Sequence, residues 1–172
     1  NFSIPELEPR LFSFNSPYGA CPECKGLGTK LKISEDLIMP DKEKSLNQNG
    51  LLGYNIDNNT HNTIVRAVCE KYQIDMNASI KDIPKNKLDI LLYGTEEPIE
   101  IKFIAKNGNV RYTNDYFEGV IPNLERRYIE TTSAWTREWL ETFMVEMDCP
   151  VCHGTRLQDS VLSVYINKKN IY

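Results

Sequence analysis

The chain has 172 residues, 41% hydrophobic and 26% charged. That is enough apolar material for one folded domain or one domain with a small appendage, and it excludes wholesale disorder. No apolar run approaches the roughly 18–20 residues of a membrane span, and a formal charge of −4 excludes a globally basic nucleic-acid binder.

In chain order, Asn1-Phe2-Ser3-Ile4-Pro5 lacks the basic start and apolar stretch of a signal peptide, and the missing initiator Met suggests a piece of a longer chain. Phe12-Ser13-Phe14 reads as a short strand, stopped by Asn15-Ser16-Pro17 and Gly19. Thr29–Ile33 alternates polar and apolar residues, as a half-buried strand does. Residues 40–58, rich in Asn, Asp, Lys and Gly, read as mostly loop. Thr60 or Asn59 can cap a helix running to about Gln73, with Ile64, Val65, Val68 and Tyr72 on one stripe. A short helix opens at Pro84, carries Leu88, Leu91 and Leu92, and stops at Gly94.

The segments Ile99–Ile104 and Asn109–Tyr112 flank Lys106-Asn107-Gly108 and predict a hairpin. Helices are expected near 122–130 and 134–147. The second places Trp135, Trp139, Leu140, Phe143 and Met147 on one stripe, which reads as core before it reads as a base-stacking platform. Val161–Ile166 reads as a further strand. The fold class expected is α+β: a small zinc-knuckle base with strands, carrying an inserted domain of a few helices and a β-hairpin. The base spans 1–34 and 148–172, and the insertion spans 35–147.

Four of the five cysteines form two C-P-x-C-x-G segments, Cys21-Pro22-Glu23-Cys24-Lys25-Gly26 and Cys149-Pro150-Val151-Cys152-His153-Gly154. A two-residue spacer turns both thiolates toward one cation while loop N–H groups face the sulfurs, and the glycine permits the positive φ of such a knuckle. Two knuckles supply Cys21, Cys24, Cys149 and Cys152, a closed tetrahedral set suited to structural zinc. The rival readings are a dithiol redox pair, which usually occurs once beside a βαβ pattern, and disulfides, which suit short secreted chains. The knuckles are 124 residues apart, far beyond the spacing of a self-contained finger, so the metal is expected to clasp the ends of a large insert. His153 would be spare in a four-sulfur site. Cys69 reads as a small buried hydrophobe.

No phosphate-binding G-x-x-x-x-G-K-[ST] segment and no nucleophile–base pair can be read in the chain, so catalysis of its own is not expected. Charge is uneven: residues 35–100 carry 7 basic and 12 acidic side chains, whereas residues 101–137 carry 6 and 4. Lys102, Lys106, Arg111, Arg126, Arg127 and Arg137 are that local excess and the candidates for phosphate contact. Strand alternation would put Lys102 and Lys106 on one surface. Adjacent Arg126 and Arg127 diverge on a helix, so one is expected to pair with Glu118, Glu125 or Glu130.

The segments Glu6–Gly28, Phe117–Tyr128 and Cys149–Leu157 closely resemble, in order, segments of UvrA, the damage-sensing subunit of bacterial nucleotide excision repair. The resemblance covers both ends and the second half of the insert, while residues 35–100 match mainly by position and length. It implies a cytoplasmic protein and part of an ABC-type ATPase dimer that loads a partner helicase, UvrB, at a lesion. It implies that this chain holds part of the first signature domain plus an inserted domain that closes over double-stranded DNA. ATP would bind only to the parent protein, since the ATP-binding loops, the L-S-G-G signature and the UvrB-binding domain lie outside this segment. A further C-x-x-C pair common in the family just upstream is absent here, and the shared C-P-x-C-x-G form favours Cys149 and Cys152 as partners of Cys21 and Cys24. A second functional class stays open: the insert as a protein-interaction or structural module that orients the ATPase halves or contacts UvrB. The acidic 35–100 stretch favours that alternative.

Overall fold

The computed structural model describes residues 7–55, 57–166 and 168–170. The elements run β1 (Thr29–Ile33), α1 (Glu35–Ile38), α2 (Asn59–Tyr72), α3 (Lys85–Tyr93), β2 (Ile99–Ile104) and β3 (Val110–Asp115). After these come α4 (Val120–Glu130), α5 (Ala134–Glu141), β4 (Met144–Asp148), α6 (Asp159–Leu162), β5 (Tyr165–Ile166) and β6 (Lys169–Asn170), with short 3-10 turns between some of them. The mixture is α+β with three two-stranded sheets, β1–β4, β2–β3 and β5–β6. The chain divides into two compact units, one of residues 1–32 with 145–172 and the other of residues 33–144. No helix among the described residues is long and apolar enough to cross a membrane.

In the 33–144 unit, α2 starts where the Asn58 side chain accepts the N–H groups of Thr60 and His61 at 3.0 and 3.2 Å. The cap is therefore Asn58, one residue before the expected Asn59 and two before Thr60, because its carboxamide reaches two of the otherwise unpaired N–H groups. Val65, Val68 and Cys69 form the buried stripe of α2, which ends at Gln73 in the left-handed region (φ 56). Pro84 precedes α3 and Gly94 (φ 104) ends it, with Leu91 and Leu92 buried between. Helix α2 packs on β2, α3 on α4, and α4 on α5. The described residues of 40–58 are loop with one 3-10 turn at Leu46–Gln48, yet Leu46, Leu51 and Tyr54 sink into the core. All of the large apolar cluster lies between Ile33 and Phe143.

Strands β2 and β3 form an antiparallel hairpin with Ile104 opposite Val110, Phe103 opposite Arg111, Lys102 opposite Tyr112 and Ile101 opposite Thr113. Directly opposed residues share a face. One face of the hairpin thus carries Ile99, Ile101 and Phe103, which pack into the core. The other carries Glu100, Lys102 and Ile104 with Asn114, Tyr112 and Val110, all exposed.

Three expectations fail. The segment Phe12–Phe14 is not a strand; Pro9–Phe12 is a 3-10 turn with Pro9 at its start, where proline's fixed φ suits a helical turn. Val161 and Leu162 end the short helix α6, leaving only Tyr165–Ile166 as strand. The helix expected over 134–147 stops at Glu141, and Met144–Asp148 becomes β4, paired with β1. Met144-Val145-Glu146-Met147-Asp148 alternates, but Leu140, Phe143 and Met147 also satisfy a helical period, so local pattern alone does not decide. Trp135 and Met147, expected in the core stripe, are 73% and 50% exposed.

Candidate metal centre and candidate nucleic-acid interface

In the unit of residues 1–32 and 145–172 the two knuckles face each other with matched backbone geometry. The residue after each second cysteine, Lys25 or His153, has positive φ (53 and 49), followed by Gly26 and Gly154 (81 and 88). Leu27 N–H returns to the Cys24 carbonyl at 3.1 Å, and Thr155 N–H to the Cys152 carbonyl at 2.9 Å. The knuckles also exchange bonds: Cys21 N–H donates to the Arg156 carbonyl and Cys149 N–H to the Gly28 carbonyl, both at 2.9 Å. Each first cysteine is thus tied to the residue four beyond the other knuckle's second cysteine. A Cβ on Gly26 would sit 2.0 Å from the Phe14 carbonyl oxygen, so this glycine is required for room as well as for φ.

This exchange brings four buried sulfurs together. Cys21 and Cys149 Sγ are 3.9 Å apart, Cys24 and Cys152 Sγ are 3.7 Å apart, and all four lie within 4.8 Å of one another. A tetrahedral zinc with Zn–S bonds of about 2.3 Å requires S···S edges of about 3.8 Å. The donor set therefore fits a zinc ion. Gly28 N–H donates to Cys24 Sγ at 3.2 Å. Burial pushes the Cys21 thiol up to about 11. Burial also opposes the Cys24 thiolate, but the N–H groups of Gly28 and Gly26 and the Cys152 thiol outweigh it and bring that group down to about 7. Four buried sulfurs at this spacing suit a dication, which would hold all four as thiolates and close the unit. None of the five cysteines is in a disulfide; His153 is exposed and outside the sulfur cluster. Cys69 is buried in the other unit, where burial pushes its thiol up to about 12.

Sequence reasoning missed Arg156. Its guanidinium lies 3.6 Å from the Phe14 ring centroid, and its Nε donates to the Gly26 carbonyl at 2.7 Å. One side chain from the second knuckle thereby braces the first. A cation four residues beyond a C-x-x-C pair was the available signal, but its target was not legible.

The six candidate phosphate-binding cations, all in the 33–144 unit, are not equivalent. Lys102 and Lys106 are exposed and, among the described residues, make no ion pair. Arg111 lies on the opposite face from Lys102, with its guanidinium 5.5 Å from the Phe103 ring. Arg127 sits over Trp139 at 5.6 Å, and Arg137 over Tyr128 at 5.1 Å while donating to the Thr131 carbonyl. Arg126 is the partner the sequence anticipated for a carboxylate: it holds Glu118 at 2.7 Å and Glu130 at 3.0 Å. Its hydrogen bond keeps the Glu118 carboxyl below the ordinary carboxylate range against the opposing effect of burial. Lys106 lies in the turn beyond Ile104, where strand alternation no longer assigns it a face.

Residues 35–142 match the family model of the UvrA DNA-binding domain, which puts the helix-and-hairpin unit in the class of DNA-binding domains. The chain is 46% identical to the UvrABC system protein A of Oceanobacillus iheyensis over 172 aligned positions, covering 99% of this chain and 18% of that protein. It is 46% identical to the protein of that name from Staphylococcus epidermidis and 45% to that from Staphylococcus aureus, with the same coverage. The crystal structure of UvrA2 from Deinococcus radiodurans shares the fold, with a TM-score of 0.72 at 22% identity, covering 99% of this chain and 22% of that one. The chain belongs to the UvrA family. It spans about a fifth of the length of the curated relatives it matches, 18% in each case.

Proposed function

We propose that this chain is the DNA-holding part of a bacterial UvrA acting in nucleotide excision repair. Residues 35–147 serve as the insertion domain, and residues 1–34 with 148–172 as a zinc-clasped base from the first signature domain. The observation that carries this reading is the family match over residues 35–142, which falls on the compact unit of residues 33–144. The sulfur cluster supports zinc as a structural ion. ATP hydrolysis then belongs to the parent protein, an ABC-type ATPase working in the cytoplasm with a second UvrA copy and UvrB, and this segment contributes no catalytic group.

Lys102, Lys106, Arg111, Arg127 and Arg137 are the phosphate contacts of this reading, with Arg126 withdrawn because Glu118 and Glu130 neutralise it. Phosphate contact is blind to sequence, which suits a protein that meets lesions in any context. The test is duplex binding across a salt series. The logarithm of affinity should fall with log salt by about 0.9 per phosphate neutralised. Arg111→Glu combined with Arg127→Glu should weaken binding with fold and metal content intact, and unchanged affinity would rule the reading out.

One observation favours a second reading, a protein-interaction module that contacts UvrB or orients the ATPase halves. Ile129 on α4 and Trp135 on α5 are 80% and 73% exposed. Retention of UvrB by the wild-type chain but not by Trp135→Ala, with DNA affinity unaffected, would select it.

A further inference from the structure

The outward face of the β2–β3 hairpin combines exposed apolar side chains with nearby lysines. Ile104 and its cross-strand partner Val110 are 59% and 47% exposed, and Tyr112, opposite Lys102, is 61% exposed. Three neighbouring apolar or aromatic side chains therefore lie on a strand face that nothing in this unit covers. Residues 101–113 carry Lys102, Lys106 and Arg111 and no carboxylate, and the one carboxylate of this face, Glu100, lies at the end remote from the turn. Lys102 sits beside Tyr112 on this face and Lys106 follows Ile104 in the turn, so the apolar patch has a free ammonium on either side along the chain. Other exposed aromatics, such as Tyr93, Tyr116 and Trp135, lie elsewhere; Trp135 shares its helix with Glu138 and Glu141 and stacks on Trp139.

An intact duplex offers phosphates to the lysines but nothing to the patch, because its bases are stacked on each other. Unpaired bases offer both: a flat face for Tyr112 and the aliphatic pair, and flanking phosphates for the ammonium groups. Stacking of this kind tolerates any base identity. Unstacking costs least where pairing is already broken.

We infer that the outward face of the β2–β3 hairpin, built from Tyr112, Ile104 and Val110 between Lys102 and Lys106, docks the exposed bases of locally unpaired DNA. This rests on the DNA-holding reading above and adds to it the means of telling a disrupted duplex from an intact one.

The experiment uses the full-length protein carrying this chain and two duplexes of one sequence, one fully paired and one with a short central unpaired stretch containing 2-aminopurine. Wild type should bind the interrupted duplex more tightly, by roughly tenfold for one base stacked on an aromatic ring, and should quench the reporter. Tyr112→Ala with Ile104→Ser should bring the two affinities together and abolish the quenching, leaving intact-duplex affinity and salt slope as they were. Because these side chains are exposed, circular dichroism should not change. Lys102→Ala with Lys106→Ala should weaken both duplexes alike and flatten the salt slope by about 2. If the apolar variant still discriminates and quenches, or wild type binds both duplexes equally, the inference is overturned while the DNA-holding reading survives. If wild type binds neither duplex, both fall.

Discussion

The two units of this chain are held together by different chemistry. In residues 33–144, the helices and the inner hairpin face share one continuous apolar core that includes Ile38, Val68, Leu91, Leu92, Leu124 and Leu140. In residues 1–32 with 145–172, the clustered buried residues are the four cysteines, helped by isolated side chains such as Leu157 and Val161. The first unit can bury enough hydrocarbon to offset its ordering entropy. The second is too small for that, and small domains of this kind depend on a metal or cross-links. Within one chain, stability should therefore answer to hydrophobic packing in one region and to metal supply in the other.

The largest effect should come from the sulfur cluster. Cys149→Ser, or a strong chelator, is expected to unfold the knuckle unit and leave the helical signal of the other unit intact. The structural metal in such sites is worth about 10–16 kcal/mol. Calorimetry should then show one transition removed and one unmoved; loss of both together would mean that the units do not fold separately. Next comes Leu124→Ala in the fully buried face of α4, expected to cost about 2–5 kcal/mol in the apolar unit with zinc content unaltered.

Gly26→Ala must fit a Cβ against the Phe14 carbonyl at positive φ, so a loss of about 1–3 kcal/mol is expected in the metal-bound knuckle unit alone. The smallest effect is electrostatic. Glu118 is held ionised below its ordinary range by Arg126. Its contribution is thus present above the ordinary carboxylate pKa and lost as pH falls through the lowered folded-state value. Both side chains are well exposed, so Glu118→Gln should remove no more than about 1 kcal/mol near neutral pH and flatten the acid limb of the stability curve. An unchanged acid limb would mean the pair is geometrically close but energetically silent.

Legibility divides along a different line, local pattern against distant partner. Where a segment's own pattern matched its surroundings, it could be read directly: β1 falls on Thr29–Ile33, the hairpin on its two alternating arms, and α2 on its apolar stripe. The clustering of the four cysteines was legible because the C-P-x-C-x-G form records local chemistry twice. The failures lie where a distant partner decides. Met144–Asp148 continues a helical period yet joins β1, and Val161 is taken into α6 rather than a strand. Alternation in Ile104, Val110 and Tyr112 was visible, but that one face of the hairpin stays bare depends on α2 covering the other. Likewise, the divergence of Arg126 and Arg127 could be read from helix geometry, whereas the ring under Arg127 required the placement of α5.

The central claim, that sulfurs 125 or more positions apart close around one ion, is tested most directly by native mass spectrometry of the purified chain with thiol counting. One zinc per chain is expected, with Cys21, Cys24, Cys149 and Cys152 protected together until the metal is removed, and with the zinc lost in Cys149→Ser. A chain that carries no zinc, or that holds Cys21–Cys24 and Cys149–Cys152 as separate disulfides, would contradict it.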